Sequence, residues 1–287
     1  DTIYDAKTPR LRTTPNYTAY VKIAEGCDHR CAFCAIPLIR GSFRSRPMED
    51  IVAEGRELAA AGVRELVLIA QDSANYGLDC YQKPMLPTLL RELAKIDGIA
   101  WIRVLYSYPK YFTDELIEVF VTEPKVVKYV DLPLQHAHDA VLRSMNRPDT
   151  RAGMEELIAK LRARIPGVAI RSTFIVGFPG ETDAQYQTLR RFVEKQRFDK
   201  VGIFTYSEEE DTAAAAMGKK VSEEVMQERY HDLMSLQSKI SEEINIGLEH
   251  QEVDVLIEGH DAEQSGIAVG RSYREAPEVD GQIYIEG

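Results

Sequence analysis

The sequence predicts an α/β fold: an open, partial (β/α)6 barrel, followed by a long helix and a small, incomplete C-terminal β-barrel. Within the first 206 residues, six apolar runs of strand length alternate with amphipathic stretches of helix length. Helical periodicity then continues through residues 222–247, and short apolar runs separated by glycine and aspartate follow. A chain of 287 residues is long enough for one large and one small domain.

The six barrel strands are predicted at residues 20–24, 65–70, 101–105, 129–132, 170–176 and 201–205. The helices between and after them are predicted at residues 48–61, 86–95, 113–121, 139–145, 151–164 and 182–195. A strand followed by a helix, repeated six times, indicates a parallel sheet with right-handed crossovers. Because eight such units make a closed barrel, six predict an open one.

Several residues mark the ends of these elements. Pro47 and Pro87 lie near predicted helix starts, where a missing N–H costs little, and Gly62 and Gly98 follow predicted helix ends. Ser222 is a plausible cap for the long helix. Three short strands are predicted after it, at residues 253–257, 267–270 and 282–285. We therefore expect a linker at residues 1–17, a barrel domain with its connecting helix at 18–246, and a β domain at 247–287.

The net charge of −11 is unevenly distributed. Residues 207–287 contain 20 acidic and 6 basic side chains, whereas residues 1–206 contain 26 acidic and 29 basic ones. The acidic third is either a solvated surface that favours solubility or a surface for a basic partner. No uncharged apolar run of membrane-spanning length and no secretory signal pattern occurs, which predicts a cytoplasmic protein. The linker-like start without methionine predicts a fragment of a longer chain.

Three of the four cysteines, Cys27, Cys31 and Cys34, form a C-x3-C-x2-C pattern directly after the first strand. Soft thiolates on a short loop suit an iron–sulfur cluster or zinc. Structural zinc usually takes four protein ligands, for which His29 or Cys80 is available here. Three cysteines on a four-iron cluster leave one iron open to a small molecule. The pattern favours a cluster over zinc, and zinc over unligated cysteines.

This cysteine loop, placed after the first strand of a (β/α)6 pattern, resembles that of the radical S-adenosylmethionine (radical SAM) superfamily. The resemblance implies one [4Fe–4S] cluster whose open iron binds the amino and carboxylate groups of SAM. It also implies that one electron from the cluster cleaves SAM to a 5′-deoxyadenosyl radical, which abstracts a substrate hydrogen. Phe33 lies where an aromatic residue of this family packs near the adenine.

Further motifs, which occur in order, resemble the radical SAM methylthiotransferases of the RimO and MiaB group. They are AQDSANYG at residues 70–77, LPLQHA at 132–137, MNR at 145–147 and RSTFIVGFPGET at 171–182. Polar residues after barrel strands are where barrel enzymes place ligands. The candidate SAM-contacting residues are Phe33, Gln71, Asp72, Gln135, His136, Arg147, Arg171, Gly177, Phe178, Pro179, Gly180 and Glu181. The plainer interpretations are loop packing for Phe33, a structural role for His136, and a cap, an ordinary turn or an ion pair for the others. Cys80 is expected to be a bystander.

The resemblance implies three parts: an N-terminal domain with a second cluster, the radical SAM barrel and a C-terminal TRAM β-barrel. The second cluster is expected only in an N-terminal domain that this chain lacks, so SAM cleavage without complete methylthiolation is predicted. Residues 252–287 carry nine acidic side chains and only Arg271 and Arg274 as bases. Because this charge repels RNA and attracts a basic protein, we favour the RimO type over the tRNA-modifying type. The RimO-type reaction adds a methylthio group to an aspartate β-carbon in small-subunit ribosomal protein S-twelve.

The expected partners are that basic ribosomal protein and a reducing electron donor, with tRNA as the less favoured alternative and no membrane. A non-catalytic, metal-stabilised binding module is the alternative from a different functional class.

Overall fold

The structure is a computed structural model that describes residues 14–261, 263–264 and 266–286. Most of the linker predicted at residues 1–17 lies outside these residues. The strands of the described part are β1 (Thr18–Lys22), β2 (Ala24–Glu25), β3 (Arg44–Ser45), β4 (Glu65–Ile69), β5 (Trp101–Val104), β6 (Tyr129–Gln135), β7 (Ala169–Val176), β8 (Lys200–Thr205), β9 (Leu256–His260), β10 (Ile267–Arg271) and β11 (Ile283–Glu286). The helices are α1 (Ile36–Arg40), α2 (Met48–Ala60), α3 (Leu78–Tyr81), α4 (Leu86–Ala94), α5 (Asp114–Thr122), α6 (Asp139–Ser144), α7 (Arg151–Arg164), α8 (Asp183–Gln196) and α9 (Glu223–Ile246).

Six parallel strands form the barrel wall, in two ladders of three. The ladders are β1–β4–β5 and β6–β7–β8. They meet at Ile102, whose N–H donates to the Lys125 carbonyl at 2.7 Å and whose carbonyl accepts from Val127 at 3.0 Å. Within the described residues, no ladder joins β1 to β8. The barrel is therefore partial and open between these two edges. All six predicted strands are present, although β1 lies two residues earlier than predicted and β6 ends three residues later.

The predicted helices agree with the structure to within one residue at each end. Side-chain caps explain three of the starts, since the hydroxyls of Thr113, Thr182 and Ser222 accept from N–H groups of the first turn. Gly62 and Gly98 follow helix ends at φ +90° and +88°, in the left-handed region that glycine adopts without strain. The helices cover the outside of the strands and bury a continuous apolar core. In the described part of the chain, no helix is long and apolar enough to cross a membrane.

The C-terminal strands form an antiparallel sheet in the order β11–β10–β9. The strand predicted at residues 253–257 has the wrong bounds, because β9 begins three residues later, at Leu256, and ends at His260. Arg271 of β10 pairs with Leu256, and its guanidinium binds Glu258 at 2.5 Å, so the ladder starts there. Val253 precedes the ladder and is 42% exposed.

The segment 271–280, which we call the plug segment, docks the C-terminal sheet against the amino-terminal ends of the barrel strands. Glu65, at the start of β4, binds Arg271 at 2.5 Å and Arg103 at 2.8 Å. The Tyr129 hydroxyl, at the start of β6, donates to Asp280 at 2.6 Å. Ala276 is fully buried in the same apolar cluster as Tyr129. The plug segment thus closes one end of the barrel, and the carboxyl ends of the strands open at the other.

Candidate functional site: a cysteine-lined cavity

The cysteine loop starts and ends in a small hairpin. Strands β2 and β3 pair antiparallel and bracket residues 26–43. Gly26 begins the loop at φ +84°, and a Cβ there would lie 2.2 Å from the Ser42 carbonyl oxygen, so only glycine fits. The Cys27 N–H then donates to the Gly41 carbonyl at 3.1 Å. The base of the loop is therefore closed on its own backbone.

The middle of the loop is held from both sides of the open barrel. The Ala32 N–H donates to the Met145 carbonyl after α6, at 2.8 Å. The Ala32 carbonyl accepts from Ala214, in the connector after β8, also at 2.8 Å. Ala32 and Ala214 pack in one buried cluster with Met145 and Phe178. Two segments that lie far apart in the sequence thus fix Ala32, which directly follows Cys31.

The three cysteines line a cavity of about 380 Å³ at the carboxyl ends of the strands. This volume lies within the range of small-molecule and cofactor sites. The lining residues are Cys27, His29, Cys31, Phe33, Cys34, Ile36, Ala70, Gln71, Tyr106, Tyr108, Pro133, Gln135 and Arg147. The structure therefore brings Phe33, Gln71, Gln135 and Arg147 together with the cysteines.

Two glutamines in the cavity wall have different surroundings. The Gln71 side-chain oxygen accepts from the Gly26 N–H at 2.8 Å, which ties the end of β4 to the cysteine loop. The Gln135 side-chain oxygen is buried and has no hydrogen-bond partner among the described residues. Gln135 also has φ +71°, at an irregularity of the β6–β7 ladder. Gln135 therefore combines a strained backbone and an unpaired buried acceptor with a position in the cavity wall, which makes it a candidate for ligand contact.

Asp72 supports the cavity wall from behind. Its carboxylate, 1% exposed, lies 2.7 Å from His29 Nε2 and accepts from the Tyr108 N–H at 3.1 Å. The His29 ring stacks on Tyr108 with centroids 3.9 Å apart and planes at 12°. Asp72 therefore holds the His29 side chain and the Tyr108 backbone in place without lining the cavity itself.

Burial raises the pKa of the Cys27 thiol to about 11. Burial also raises the pKa of Cys31, although the charge of Arg147 acts in the opposite direction. Without a metal, the thiols of Cys27 and Cys31 are therefore protonated at neutral pH. Because a metal binds the thiolate, binding releases these protons.

The turn at residues 177–181 lies beside the cavity and is held by a buried chain of charges. Glu181 accepts from the Gly177 N–H at 2.7 Å and from Arg229 of α9 at 2.6 Å. Its other oxygen lies 2.9 Å from His136 Nε2. Because His136 Nδ1 accepts from the His138 N–H, the ring carries its proton on Nε2 and donates to Glu181. His136 and Glu181 are thus engaged with each other.

The remaining residues of the turn have other contacts. Phe178 packs edge-on against Tyr206 with centroids 5.6 Å apart, and the Gly180 N–H donates to the Lys219 carbonyl at 2.8 Å. None of the residues predicted at the turn, Gly177, Phe178, Pro179, Gly180 and Glu181, is among the lining residues of the cavity. The turn supports the wall formed by the cysteine loop.

Arg171 is not brought to the cavity. It lies near the start of β7, where its guanidinium binds Asp131 at 3.1 Å and lies 3.8 Å from Asp280 of the plug segment. Parallel strands run from this end to the cavity, so Arg171 sits at the opposite end of the barrel. Cys80 is exposed on α3 and is absent from the cavity lining.

Tyr106 and Tyr108 line the cavity but were not among the predicted site residues. Both follow β5, so their signal in the sequence is their position after a barrel strand, where barrel enzymes place ligands. Tyr106 has φ +60°, and its N–H donates to Asp131 at 3.0 Å. Two non-glycine residues with left-handed backbone, Tyr106 and Gln135, therefore line one cavity.

The fold and the cavity agree with sequence comparison. Residues 21–193 match the model of the radical SAM superfamily, and residues 251–287 match that of the TRAM domain. The chain belongs to the radical SAM superfamily, whose members bind a [4Fe–4S] cluster and SAM.

Its curated relatives include proteins called ribosomal protein uS12 methylthiotransferase RimO. That of Geobacter sulfurreducens is 51% identical over 99% of this chain and 63% of its own length. That of Caldanaerobacter subterraneus is 50% identical over 99% of this chain and 64% of its own length. The chain thus spans somewhat less than two thirds of these relatives.

Among solved structures, coproporphyrinogen III oxidase (HemN) from Escherichia coli, described as a radical SAM enzyme, superposes with a TM-score of 0.58. The match covers 78% of this chain and 53% of that one at 16% identity. This similarity confirms the predicted fold class.

Proposed function

We propose that this chain is the SAM-cleaving unit of a RimO-type methylthiotransferase that modifies an aspartate of ribosomal protein uS12. The observation that carries the proposal is the convergence of Cys27, Cys31 and Cys34 on one cavity at the carboxyl ends of the strands. The 50–51% identity to proteins named as uS12 methylthiotransferases supports the substrate.

The cavity fits a cluster with an open iron. Three thiols are the soft donors that iron–sulfur clusters take, and Arg147 places a positive charge 3.9 Å from Cys31 Sγ. Within the described residues, no three His, Cys, Asp or Glu side chains are placed to hold a single metal ion. Cluster cysteines bind a different iron each, so they need not converge on one ion. When bound and reduced, the cluster supplies the electron that cleaves SAM to a 5′-deoxyadenosyl radical.

The chain's own residues bind and orient the ligands around this chemistry. Gln135 would contact SAM from the cavity wall, while Gln71 holds the start of the cysteine loop. Phe33 and Tyr106 provide aromatic surface in the same wall. The backbone clamp on Ala32 keeps the loop in place while SAM binds. These roles preorganise the site, so that little binding energy is used to order it.

The charge of the C-terminal sheet favours a basic protein as the partner. Arg271 and Arg274 are the bases of residues 252–287, and they are 1% and 8% exposed. Both form ion pairs that dock the sheet on the barrel: Arg271 pairs with Glu65, and Arg274 pairs with Asp199. In the described part of this region, the exposed charges are therefore acidic. Such a surface repels phosphate and attracts a lysine- and arginine-rich protein.

The first experiment tests the cluster and its chemistry. Anaerobic reconstitution should give about four iron and four sulfide per chain, as a [4Fe–4S] cluster requires, and a reductant should then yield 5′-deoxyadenosine from SAM. Cys31→Ala should lose the cluster because two thiolates remain. Cys80→Ala, at an exposed cysteine outside the cavity, should keep it. Zinc in place of iron, or an intact cluster in Cys31→Ala, would contradict the proposal.

The second experiment tests the partner and the extent of the reaction. Pull-down of uS12 and of tRNA across a salt series should retain uS12 and release tRNA. Tight tRNA binding without uS12 binding would instead support a tRNA methylthiotransferase. With three cysteines assigned to one cluster, only Cys80 is left, so this chain should cleave SAM without completing methylthiolation. Formation of the methylthiolated product by these 287 residues alone would overturn that expectation.

A further inference from the structure

Arg147 is buried beside the cysteine loop, with its guanidinium directed at a cysteine sulfur. It is 5% exposed, and its NH1 points at Cys31 Sγ from 3.9 Å. NH2 donates to the Pro133 carbonyl at 3.1 Å and lies 3.1 Å from a carboxylate oxygen of Asp149. One side of the guanidinium is therefore anchored, and the other faces the sulfur.

The guanidinium also lies over an aromatic ring. Its central carbon lies 4.4 Å from the centroid of the Tyr108 ring. His29 stacks on the same ring at 3.9 Å, and two groups this close cannot share one face of the ring. Tyr108 is thus sandwiched between His29 and Arg147, and Asp72 holds both His29 and the Tyr108 N–H. These contacts hold the Arg147 guanidinium in the cavity wall beside Cys31.

We infer that Arg147 is a positioning residue that raises the reduction potential of the cluster through its contact with the Cys31 sulfur. Reduction adds a negative charge to the cluster, and a fixed positive charge with an N–H directed at a cysteine sulfur stabilises that charge. Hydrogen bonds to cysteine sulfurs and nearby charges are established determinants of cluster potentials. Asp149 opposes the effect because it places a negative charge beside the same guanidinium. The inference rests on the cluster assigned above to Cys27, Cys31 and Cys34.

The test is a redox titration of the reconstituted chain without SAM, followed by electron paramagnetic resonance of the reduced cluster. Arg147→Gln should lower the ratio of reduced to oxidised cluster at a fixed potential by about tenfold, which corresponds to a midpoint about 59 mV more negative for one electron. Arg147→Lys, which keeps the charge, should restore part of the loss. Asp149→Asn should shift the midpoint in the opposite direction. Arg143→Gln, at an exposed arginine of α6, is the matched control and should leave the midpoint unchanged.

Midpoint shifts in opposite directions for the Arg147 and Asp149 variants cannot come from general damage to the loop, because damage would not depend on which charge was removed. Iron and sulfide contents are measured for every variant. If Arg147→Gln fails to hold a cluster, the Lys and Asn variants decide by the sign of their shifts. An unchanged midpoint together with weaker SAM binding would overturn the inference and assign Arg147 to SAM instead. Failure of the unmodified chain to assemble a cluster would refute the proposed function itself, which separates the two failures.

Discussion

Glu65 is the centre of the contact between the barrel and the plug segment, so Glu65→Gln should strongly destabilise the protein. The carboxylate is fully buried and binds Arg103 at 2.8 Å and Arg271 at 2.5 Å. Thr18 also donates to it at 3.2 Å. The amide of glutamine keeps the shape but removes the charge, which leaves two buried arginines without their shared partner.

The expected loss is about 3–5 kcal/mol of unfolding free energy at pH 7, the usual cost of removing one partner from a buried ion pair. Arg271 keeps Glu258, and Arg103 keeps the Tyr273 carbonyl, so the lower half of that range is expected. Glu92→Gln is the matched control, since Glu92 pairs with Lys95 at an exposed position. That substitution should cost less than about 1 kcal/mol.

The loss should depend on pH with a definite sign. Burial disfavours the charge of Glu65, but Arg103 and Arg271 outweigh it and hold the pKa below the usual value of 4.5. A carboxyl whose pKa is lower in the folded chain than in the unfolded chain stabilises the fold above its unfolded pKa. That contribution is lost as the pH falls through the folded pKa. The difference between the parent protein and Glu65→Gln should therefore be full at neutral pH and shrink as the pH falls below 4.5.

Urea denaturation, followed by far-ultraviolet circular dichroism from pH 7 to pH 3, measures both effects. A loss below about 1 kcal/mol at pH 7 would show that the network contributes little, as exposed ion pairs do. A loss that stayed constant over the whole pH range would show that the charge of Glu65 is not its cause.

Two further substitution pairs test the support of the cavity wall, each by denaturation midpoints. Gly177→Ala should cost more than Gly180→Ala, because both glycines have positive φ but only at Gly177 does a Cβ approach another side chain, at 2.1 Å from Met226. Backbone strain of about 1–2 kcal/mol is common to both variants, and overpacking adds about 1–3 kcal/mol to the first; equal losses would contradict this packing. Arg229→Gln should cost about 3–5 kcal/mol because it strips a buried partner from Glu181. Arg190→Gln, which breaks a half-exposed pair with Asp232, should cost less than about 1 kcal/mol, and the reverse order would refute the assigned role of Arg229.

The sequence was sufficient for the barrel strands and helices because their signals are local. Alternating apolar runs, Thr182 as a cap and Gly62 after a helix each act within a few residues of the element they define. The cysteine spacing is equally local, and the structure brings all three cysteines to one cavity.

Contacts between residues far apart in the sequence could not be predicted from such local signals. Arg171 looks like any polar residue of a barrel strand, and its position near Asp280, across 109 residues of chain, depends on how the C-terminal sheet docks. The register of β9 depends in the same way on Arg271, which must reach both Glu258 and Glu65. The stack of His29, Tyr108 and Arg147 joins three separate segments and leaves no pattern in any one of them.

The plug segment also sets a distance. It holds the acidic C-terminal sheet at the amino-terminal ends of the strands, while the cysteine cavity opens at their carboxyl ends. A six-residue strand such as β8 spans about 20 Å. A partner that touches both surfaces must therefore span at least the length of a barrel strand. The buried contacts of Glu65 with Arg103 and Arg271 thus fix the separation between these two surfaces.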